Sequence, residues 1–395
     1  MSLALAPLGM LYGAVTRARA RLYRSGFIKT ERVGAPVVSV GNLTAGGTGK
    51  TPLVEWVALA LAREGLRACV LTRGYGRADE GRRVVASDGA RVLAEVAECG
   101  DEPRLLAEKL LGAASVVCDR DRVGAARWAR DGLGAEVFVL DDGFQHLRIA
   151  RDLDVVTLDA TDPWGGGHLL PRGRLREPAS ALARADCVVI TRAELAEDLG
   201  ALRAEVARLS GGRATVLASR VRTRALVPLE EFGARVGRGA AAEAESPGVG
   251  TPELEGRGVR ASGLEGGVVG RFGLEGVGVG ASKAEGIGVA VAAFCGVGNP
   301  RAYFEHLRRD GFELRHTRAF ADHHAYTAAD AEAVSREAAR HGARSLLTTA
   351  KDAVKLRGLG FALPCYVVET RLEFDEERRL LGLLRGAGSA ARPGS

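Results

Sequence analysis

Gly49-Lys50-Thr51 closes the stretch SVGNLTAGGTGKTP at residues 39–52, and these residue types in this order are those of a phosphate cradle. Glycines let the backbone wrap an oxyanion, a lysine reaches the β- and γ-phosphates, and a threonine hydroxyl can hold Mg2+. The common form of the loop opens with a glycine five residues before Gly49, where this chain has Thr44. Context decides between a phosphate loop and an ordinary strand-to-helix turn. Residues 35–40 are β-branched and apolar like a buried strand, and residues 53–60 continue as a helix. A strand, a glycine turn and a helix in succession aim the free N–H groups of the helix start at an anion in the loop. The expected nucleotide contacts are Thr44, Ala45, Gly46, Gly47, Thr48, Gly49, Lys50 and Thr51.

A second cluster is acidic. Residues 137–140 are apolar and end in Asp141-Asp142, one carboxylate for the Mg2+ shell and the other to orient water or a neighbouring residue. Gln145 and His146 extend the same loop as candidate polar contacts. In Gly100-Asp101-Glu102-Pro103, the position of Asp101 alone suits a helix N-cap. Asp322-His323-His324 can be a general-base pair, a metal site or a turn. Adjacent histidines point to opposite sides of an extended chain and no third ligand follows at suitable spacing, which favours a carboxylate-oriented histidine over a metal. The run Pro171-Arg172-Gly173-Arg174-Leu175-Arg176-Glu177-Pro178 suits phosphate recognition, and equally a solvated basic surface.

The elements that must position these groups alternate. Apolar strands are expected at 68–72, 114–117, 136–140, 154–158 and 187–191, with helices such as 103–111 and 122–131 between them, which predicts an α/β, P-loop NTPase-type doubly wound, mostly parallel sheet. Ligands on such sheets bind at the carboxyl ends of the strands. Residues 235–287 break the rhythm with glycine and degenerate GLEG repeats, and read as a low-complexity insertion. Order resumes with VAVAAFCGVGNP, helices at 301–311 and 328–341, and strands SLLTT and CYVVE, a second and smaller α/β unit. The expected organisation is therefore an N-terminal amphipathic helix (1–26), a kinase domain (27–222), the insertion (235–287) and a C-terminal α/β domain (288–385).

A chain of 395 residues can build two full cores. Its formal charge of +6 comes from an arginine-preferring composition and is modest support for an anionic partner. No zinc-finger spacing, basic helix or aromatic-basic interleaving points to nucleic acid. The six cysteines are scattered and lack any C-x-x-C pair, as buried free thiols of a reducing compartment are. No stretch offers 18 clean apolar residues. Leu8, Leu11, Tyr12 and Val15 share a helical face ahead of Arg17, Arg19, Arg21 and Arg24. That segment is either a helix in a membrane interface or one docked on the protein's own core. The charges follow the apolar part, which argues against a cleaved signal peptide.

VGNLTAGGTGKTP, TRGYGR, GDEP, DDGFQH, LLPRGRLREP, FCGVGNP, FADHHAYT and TTAKDAVKL occur in one order along the chain. This series resembles the tetraacyldisaccharide 4'-kinase family, the lipid A kinases of Gram-negative bacteria, over residues 1–369 apart from the insertion. That family's loop also lacks the first glycine, so Thr44 matches its entrance. The resemblance implies an ATP- and Mg2+-dependent kinase for the 4'-hydroxyl of a tetraacyldisaccharide 1-phosphate. It also implies a glycolipid substrate met at the cytoplasmic face of the inner membrane. In that family the GDEP aspartate and the first histidine of the DHH-like motif act as a base pair, here Asp101 and His323. Asp141, Asp142 and Glu177 then look like the metal and catalytic-loop group, beside Lys50 and Thr51. Ala350 stands where the family usually has a glutamate, which weakens any role for the TTAKD turn. A competing class is a switch-type P-loop ATPase or GTPase of the partitioning or metal-insertion kind. Such proteins usually carry lysine at the place of Ala45, and guanine readers want [NT]-K-x-D, whereas Thr349-Ala350-Lys351-Asp352 has its lysine one place late. A silent membrane scaffold would not need Lys50, Thr51, Asp101, Asp141 and His323 together.

Overall fold

The computed structural model describes residues 5–232 and 290–389. The insertion expected at 235–287 lies outside the described residues. Strands form where β-branched and small apolar residues run together: β1 (Val37–Asn42), β2 (Ala68–Thr72), β3 (Val84–Ser87), β4 (Ala114–Cys118), β5 (Val137–Asp141), β6 (Leu153–Asp159), β7 (Cys187–Thr191) and β8 (Thr215–Pro228). The second part supplies β9 (Ala290–Cys295), β10 (Glu313–Ala319), β11 (Ser345–Thr349) and β12 (Cys365–Phe374). Helices alternate with them: α1 (Ala6–Arg24), α2 (Lys50–Arg63), α3 (Val96–Cys99), α4 (Asp101–Lys109), α5 (Arg122–Leu133) and α6 (Leu199–Leu209). After the undescribed segment come α7 (Pro300–Arg309), α8 (Ala328–Arg340), α9 (Ala350–Ala353) and α10 (Glu377–Ser389).

Strands β1, β2, β4, β5, β6 and β7 are buried along their whole length, because helices cover both faces of the sheet. The described strands make one twelve-stranded sheet in the order β10-β9-β11-β12-β8-β7-β6-β1-β5-β2-β4-β3. Pairing is parallel except between β3 and β4 and between β8 and β12. This is the mostly parallel α/β sheet expected.

Two elements tie the smaller part to the larger one. β8 pairs parallel with β7 from Thr215 to Ala218, then antiparallel with β12 from Ser219 to Pro228. Residue 222, an expected domain boundary, lies inside this strand. Its sequence hides it, since Arg220, Arg222 and Arg224 face out while Thr223 is buried. α10 returns from the smaller part and buries Leu380, Leu384 and Ala387 in the core that also holds Val54, Val57 and Leu61 of α2. Full burial of each leucine contributes about 1.5–3 kcal/mol. Trp56 of α2 meets Phe374 of β12 with ring centroids 4.7 Å apart.

α1 lies outside the sheet. Its glycine face docks on the loop after β6: a Cβ on Gly13 would come within 2.5 Å of the Leu169 side chain, and Gly9 packs on the Leu169 carbonyl. Leu8, Met10, Leu11 and Val15 stay exposed, and Tyr12 is half-buried. The helix thus docks through glycines rather than through the apolar residues that sequence patterning marks. Among the described residues no helix is long and apolar enough to cross a membrane. All six cysteines are free and buried.

Candidate active site

The loop between β1 and α2 takes its shape from its own polar residues. Gly49 is the N-cap of α2 with φ of +82°, a left-handed conformation that costs a side-chain-bearing residue energy and glycine almost none. Asn42 donates to the Thr44 carbonyl at 2.6 Å and to the Thr48 hydroxyl at 2.9 Å. From β7, Thr191 donates to the Thr48 carbonyl at 2.8 Å and Arg192 to the Gly47 carbonyl at 3.0 Å. The Ala45 N–H donates to the Arg174 carbonyl at 2.7 Å, and Thr44 bridges Leu175. Residues 46–51 line a cleft of about 350 Å³, while Thr44 and Ala45 anchor the loop's entrance to the PRGRLREP segment instead.

At the end of β5 the two carboxylates part company. Asp142, with φ of +52°, accepts two hydrogen bonds from Arg176 at 2.8 and 2.7 Å and lies 3.5 Å from Lys50 Nζ. Burial opposes its charge, but Lys50 and Arg176 hold its carboxyl down to about 2. Asp141 accepts from Thr72 at 2.8 Å through Oδ2, and its buried Oδ1 has no hydrogen-bond partner among the described residues. Burial, with Glu102 and Asp142 nearby, pushes it up to about 6. An orphaned buried carboxylate oxygen beside a second acid, in one cleft with the Thr51 hydroxyl, fits a hard divalent cation that draws its other ligands from phosphate and water.

Glu177 does not join them. It is buried and bonded through both oxygens to Arg184, at 2.8 and 3.0 Å, away from the residues that line the cleft. Unlike Asp142, which also accepts from an arginine through both oxygens, Glu177 does not line the cleft where a metal would sit. Gln145 and His146 also turn away: Gln145 donates to the Asn42 carbonyl, and burial lowers His146 to about 4. The three arginines of the run have separate partners. Arg176 holds Asp142, Arg174 pairs with Asp162, and Arg172 packs at Gly9.

Asp101 is the first residue of α4, with Gly100 as the cap, so the N-cap reading of Asp101 does not hold. It is 4% exposed, and both its oxygens accept from His323 Nδ1, at 2.9 and 3.0 Å. Residues 222 positions apart meet here because the loop after β10 folds over the start of α4. His323 has φ of +61°. The hydrogen bond to Asp101 raises its pKa, against burial and the nearby Lys351. His324 turns away to Asp330 and stacks on Phe320 at 4.6 Å.

The structure assigns the TTAKDAVKL segment more than the Ala350 departure suggested. Lys351 Nζ donates to Glu102 at 2.8 Å and to Asp322 at 2.9 Å, and lies 3.5 Å from His323 Nε2. One turn on, Lys355 Nζ is 3.3 Å from both Asp101 and Asp352. Two ammoniums at i and i+4 therefore flank the Asp101–His323 pair from its two ends. The spacing was visible in AKDAVK, but the carboxylates it serves come from α4 and from the loop after β10, which no local pattern connects.

The two parts of the chain also touch across the phosphate loop. A Cβ on Gly298 would sit 2.5 Å from the Gly47 nitrogen, so only glycine allows the GVGNP turn to approach this closely. Asn299 caps α7 and donates to Asp159 at 3.0 Å and Thr161 at 3.1 Å. Asp159, at the end of β6, is paired with Arg192.

Residues 1–387 match the family described as tetraacyldisaccharide-1-P 4'-kinase. A tetraacyldisaccharide 4'-kinase of Anaeromyxobacter dehalogenans (strain 2CP-C) is 43% identical over 365 residues, covering 89% of this chain and 83% of the relative. One of Pelobacter propionicus is 38% identical, covering 93% of this chain and 87% of the relative. The crystal structure of LpxK from Aquifex aeolicus in complex with ATP superposes with a TM-score of 0.67 at 26% identity, covering 98% of this chain and 99% of that one. Likeness over the full length disfavours a switch-type ATPase or GTPase, and the chain belongs to the tetraacyldisaccharide-1-P 4'-kinase family.

Proposed function

We infer that the protein is a phosphotransferase that moves the γ-phosphate of ATP to the 4'-hydroxyl of a tetraacyldisaccharide 1-phosphate in lipid A biosynthesis. One observation carries this reading: Lys50 and Thr51 share a cleft with the Asp101–His323 pair, so a phosphate cradle and a proton acceptor face the same space.

Each residue then has a physical task. The N–H groups of residues 46–51 and the Lys50 ammonium hold the triphosphate and spread its charge. Thr51, Asp141 and Asp142 are the residues that would hold Mg2+, which when bound neutralises charge on the β- and γ-phosphate oxygens. Asp142 also pins Lys50 and Arg176, fixing two cations at the phosphate-bearing end of the cleft. The acceptor hydroxyl loses its proton to the Asp101–His323 unit, either to His323 Nε2 or to the carboxylate with the imidazole orienting it. Lys351 and Lys355 keep that unit in register. Glu177 acts through Arg184 and not at the metal.

The exposed apolar residues of α1, followed by Arg17, Arg19, Arg21 and Arg24, suit a helix lying at an anionic bilayer surface, with the glycolipid acceptor presented from the cytoplasmic face of the inner membrane. The test is a phosphorylation assay with ATP, Mg2+ and a tetraacylated diglucosamine 1-phosphate in detergent micelles, with the product mapped to the 4' position. A product phosphorylated elsewhere, or ATP hydrolysis without transfer, would sink this assignment.

A further inference from the structure

Three ion pairs run between α4 and the segment after β11. Lys351 meets Glu102 at 2.8 Å, Lys355 meets Asp101 at 3.3 Å and Arg357 meets Glu108 at 2.6 Å. Beside them Leu105 of α4 packs in one apolar cluster with Val354 and Leu356. These two core residues bracket Lys355 in sequence, and the lysine side chain is drawn in with them, 8% exposed.

An ammonium in such a place needs counter-charge. Lys355 Nζ lies 3.3 Å from Asp101 Oδ2 and 3.3 Å from Asp352 Oδ1. It makes no hydrogen bond among the described residues and serves as a point charge between two carboxylates. Asp352 is fixed, since its Oδ2 accepts from the Gly296 N–H at 3.0 Å and from the Thr349 hydroxyl at 2.7 Å. The Tyr326 ring adds a further contact, its centroid 5.3 Å from the ammonium. The Asp101–His323 pair is thus met at its carboxylate by Lys355, and near Nε2 by Lys351, which Glu102 and Asp322 already engage.

What the pair can do depends on how many protons it holds. An ionised Asp101 only accepts, so a pair with a single proton carries it on Nδ1 of His323 and leaves the Nε2 lone pair free. A second proton occupies Nε2, and the pair can then take none from a hydroxyl. Burial works against the Asp101 charge that the one-proton pair requires; beside the His323 hydrogen bond, the charges of Lys351 and Lys355 support it.

We infer that Lys355 is a positioning residue for proton transfer: its charge, set against Asp101 by the segment after β11, leaves the pair with one proton and His323 Nε2 bare. The inference rests on reading Asp101 and His323 as the proton acceptor. It gives the smaller part of the chain a share in the chemistry without contact with substrate.

Lys355→Met, Lys355→Arg and His323→Ala test it in the full chain in detergent micelles. The readouts are the pH profile of kcat, ATP affinity by calorimetry, and NMR of the imidazole nitrogens, with His323 assigned from the signals that His323→Ala loses. In the wild type Nε2 should be bare throughout the pH range of full activity, and a proton found there would overturn the inference without any variant. In Lys355→Met the Nε2 proton should persist to higher pH and the acid limb of kcat should follow it. The rate at neutral pH should fall roughly tenfold, with ATP affinity unchanged. Lys355→Arg should restore the bare Nε2 and most of the rate. Because Lys355→Met strands the buried Asp352 carboxylate, the double variant Lys355→Met/Asp352→Asn removes both charges together, and it should shift the limb in the same direction. An unmoved limb in either folded variant, or Lys355→Arg as impaired as Lys355→Met, would overturn the inference. An active His323→Ala would sink the acceptor reading itself, whereas a dead His323→Ala beside an unshifted Lys355→Met would sink the role of Lys355 alone.

Discussion

His323→Ala should remove most of the turnover and little of the ATP affinity, and Asp101→Ala should do the same. Burial works against the Asp101 carboxylate, yet the hydrogen bond from His323 and the charges of Lys351, His323 and Lys355 bring its pKa from 3.8 to about 2. That difference is worth about 2 kcal/mol in favour of the ionised form. Removing the imidazole takes away the largest favourable part, on the order of 1 kcal/mol, and leaves the two lysines to hold the rest. His323 itself is 40% exposed, so solvent screens the effect of the pair on its own charge. In turnover the loss is larger, since a positioned proton acceptor contributes about 10²–10⁴ in kcat. The two groups handle one proton, so the double mutant should be hardly slower than the slower single mutant. The pair also shapes acid stability. The folded pKa of Asp101 is depressed, so its contribution is present above the unfolded value and disappears as pH falls from about 4 toward 2. In His323→Ala that contribution shrinks, and the acid-unfolding midpoint should move to higher pH. Steady-state kcat at saturating ATP, ATP affinity by calorimetry, and acid unfolding followed by circular dichroism make the complete assay. Multiplicative losses in the double mutant would refute a shared proton path, and an active His323→Ala beside a dead His324→Ala would show that the wrong histidine was chosen.

Lys50→Ala should lower kcat by roughly 10³ or more with the fold intact, because phosphoryl transfer depends on positioned charge; a near-normal rate would remove the phosphate-loop reading. Lys351→Met removes a cation that lowers the His323 pKa and frees the Asp322 carboxylate, which acts to raise it. The acidic limb of the pH profile for kcat should therefore move to higher pH, with Lys351→Arg restoring part of the shift, and an unmoved or lowered limb would rule out this electrostatic role. Gly298→Val drives a side chain into the backbone of Gly47 and should cost roughly 10² in kcat through misplacement of the phosphate loop, with little change in melting temperature. Full activity in that variant would mean that the two parts of the chain need not approach this closely during turnover.

What the sequence determined by itself was local chemistry and local shape. Lys50 and Thr51 follow a glycine turn because β1 and α2 are written in adjacent residues, and Asp141-Asp142 end β5 because an apolar strand stops there. The alternation of apolar strands and helices was enough to reach the mostly parallel sheet, and the motif order reached the family and the Asp101–His323 pairing through resemblance. Tertiary structure decided what depends on separate segments meeting. It gave Glu177 to Arg184, turned Gln145 and His146 away from the cleft, and put Lys351 between Glu102 and Asp322. It also ran β8 across the expected boundary and sent α10 back onto α2, so the smaller part is joined to the larger through both sheet and core. A carboxylate in a linear motif looks the same whether it faces a metal or an arginine. Which one it meets is set by burial and by partners brought from distant positions, and these exist only once the chain has packed.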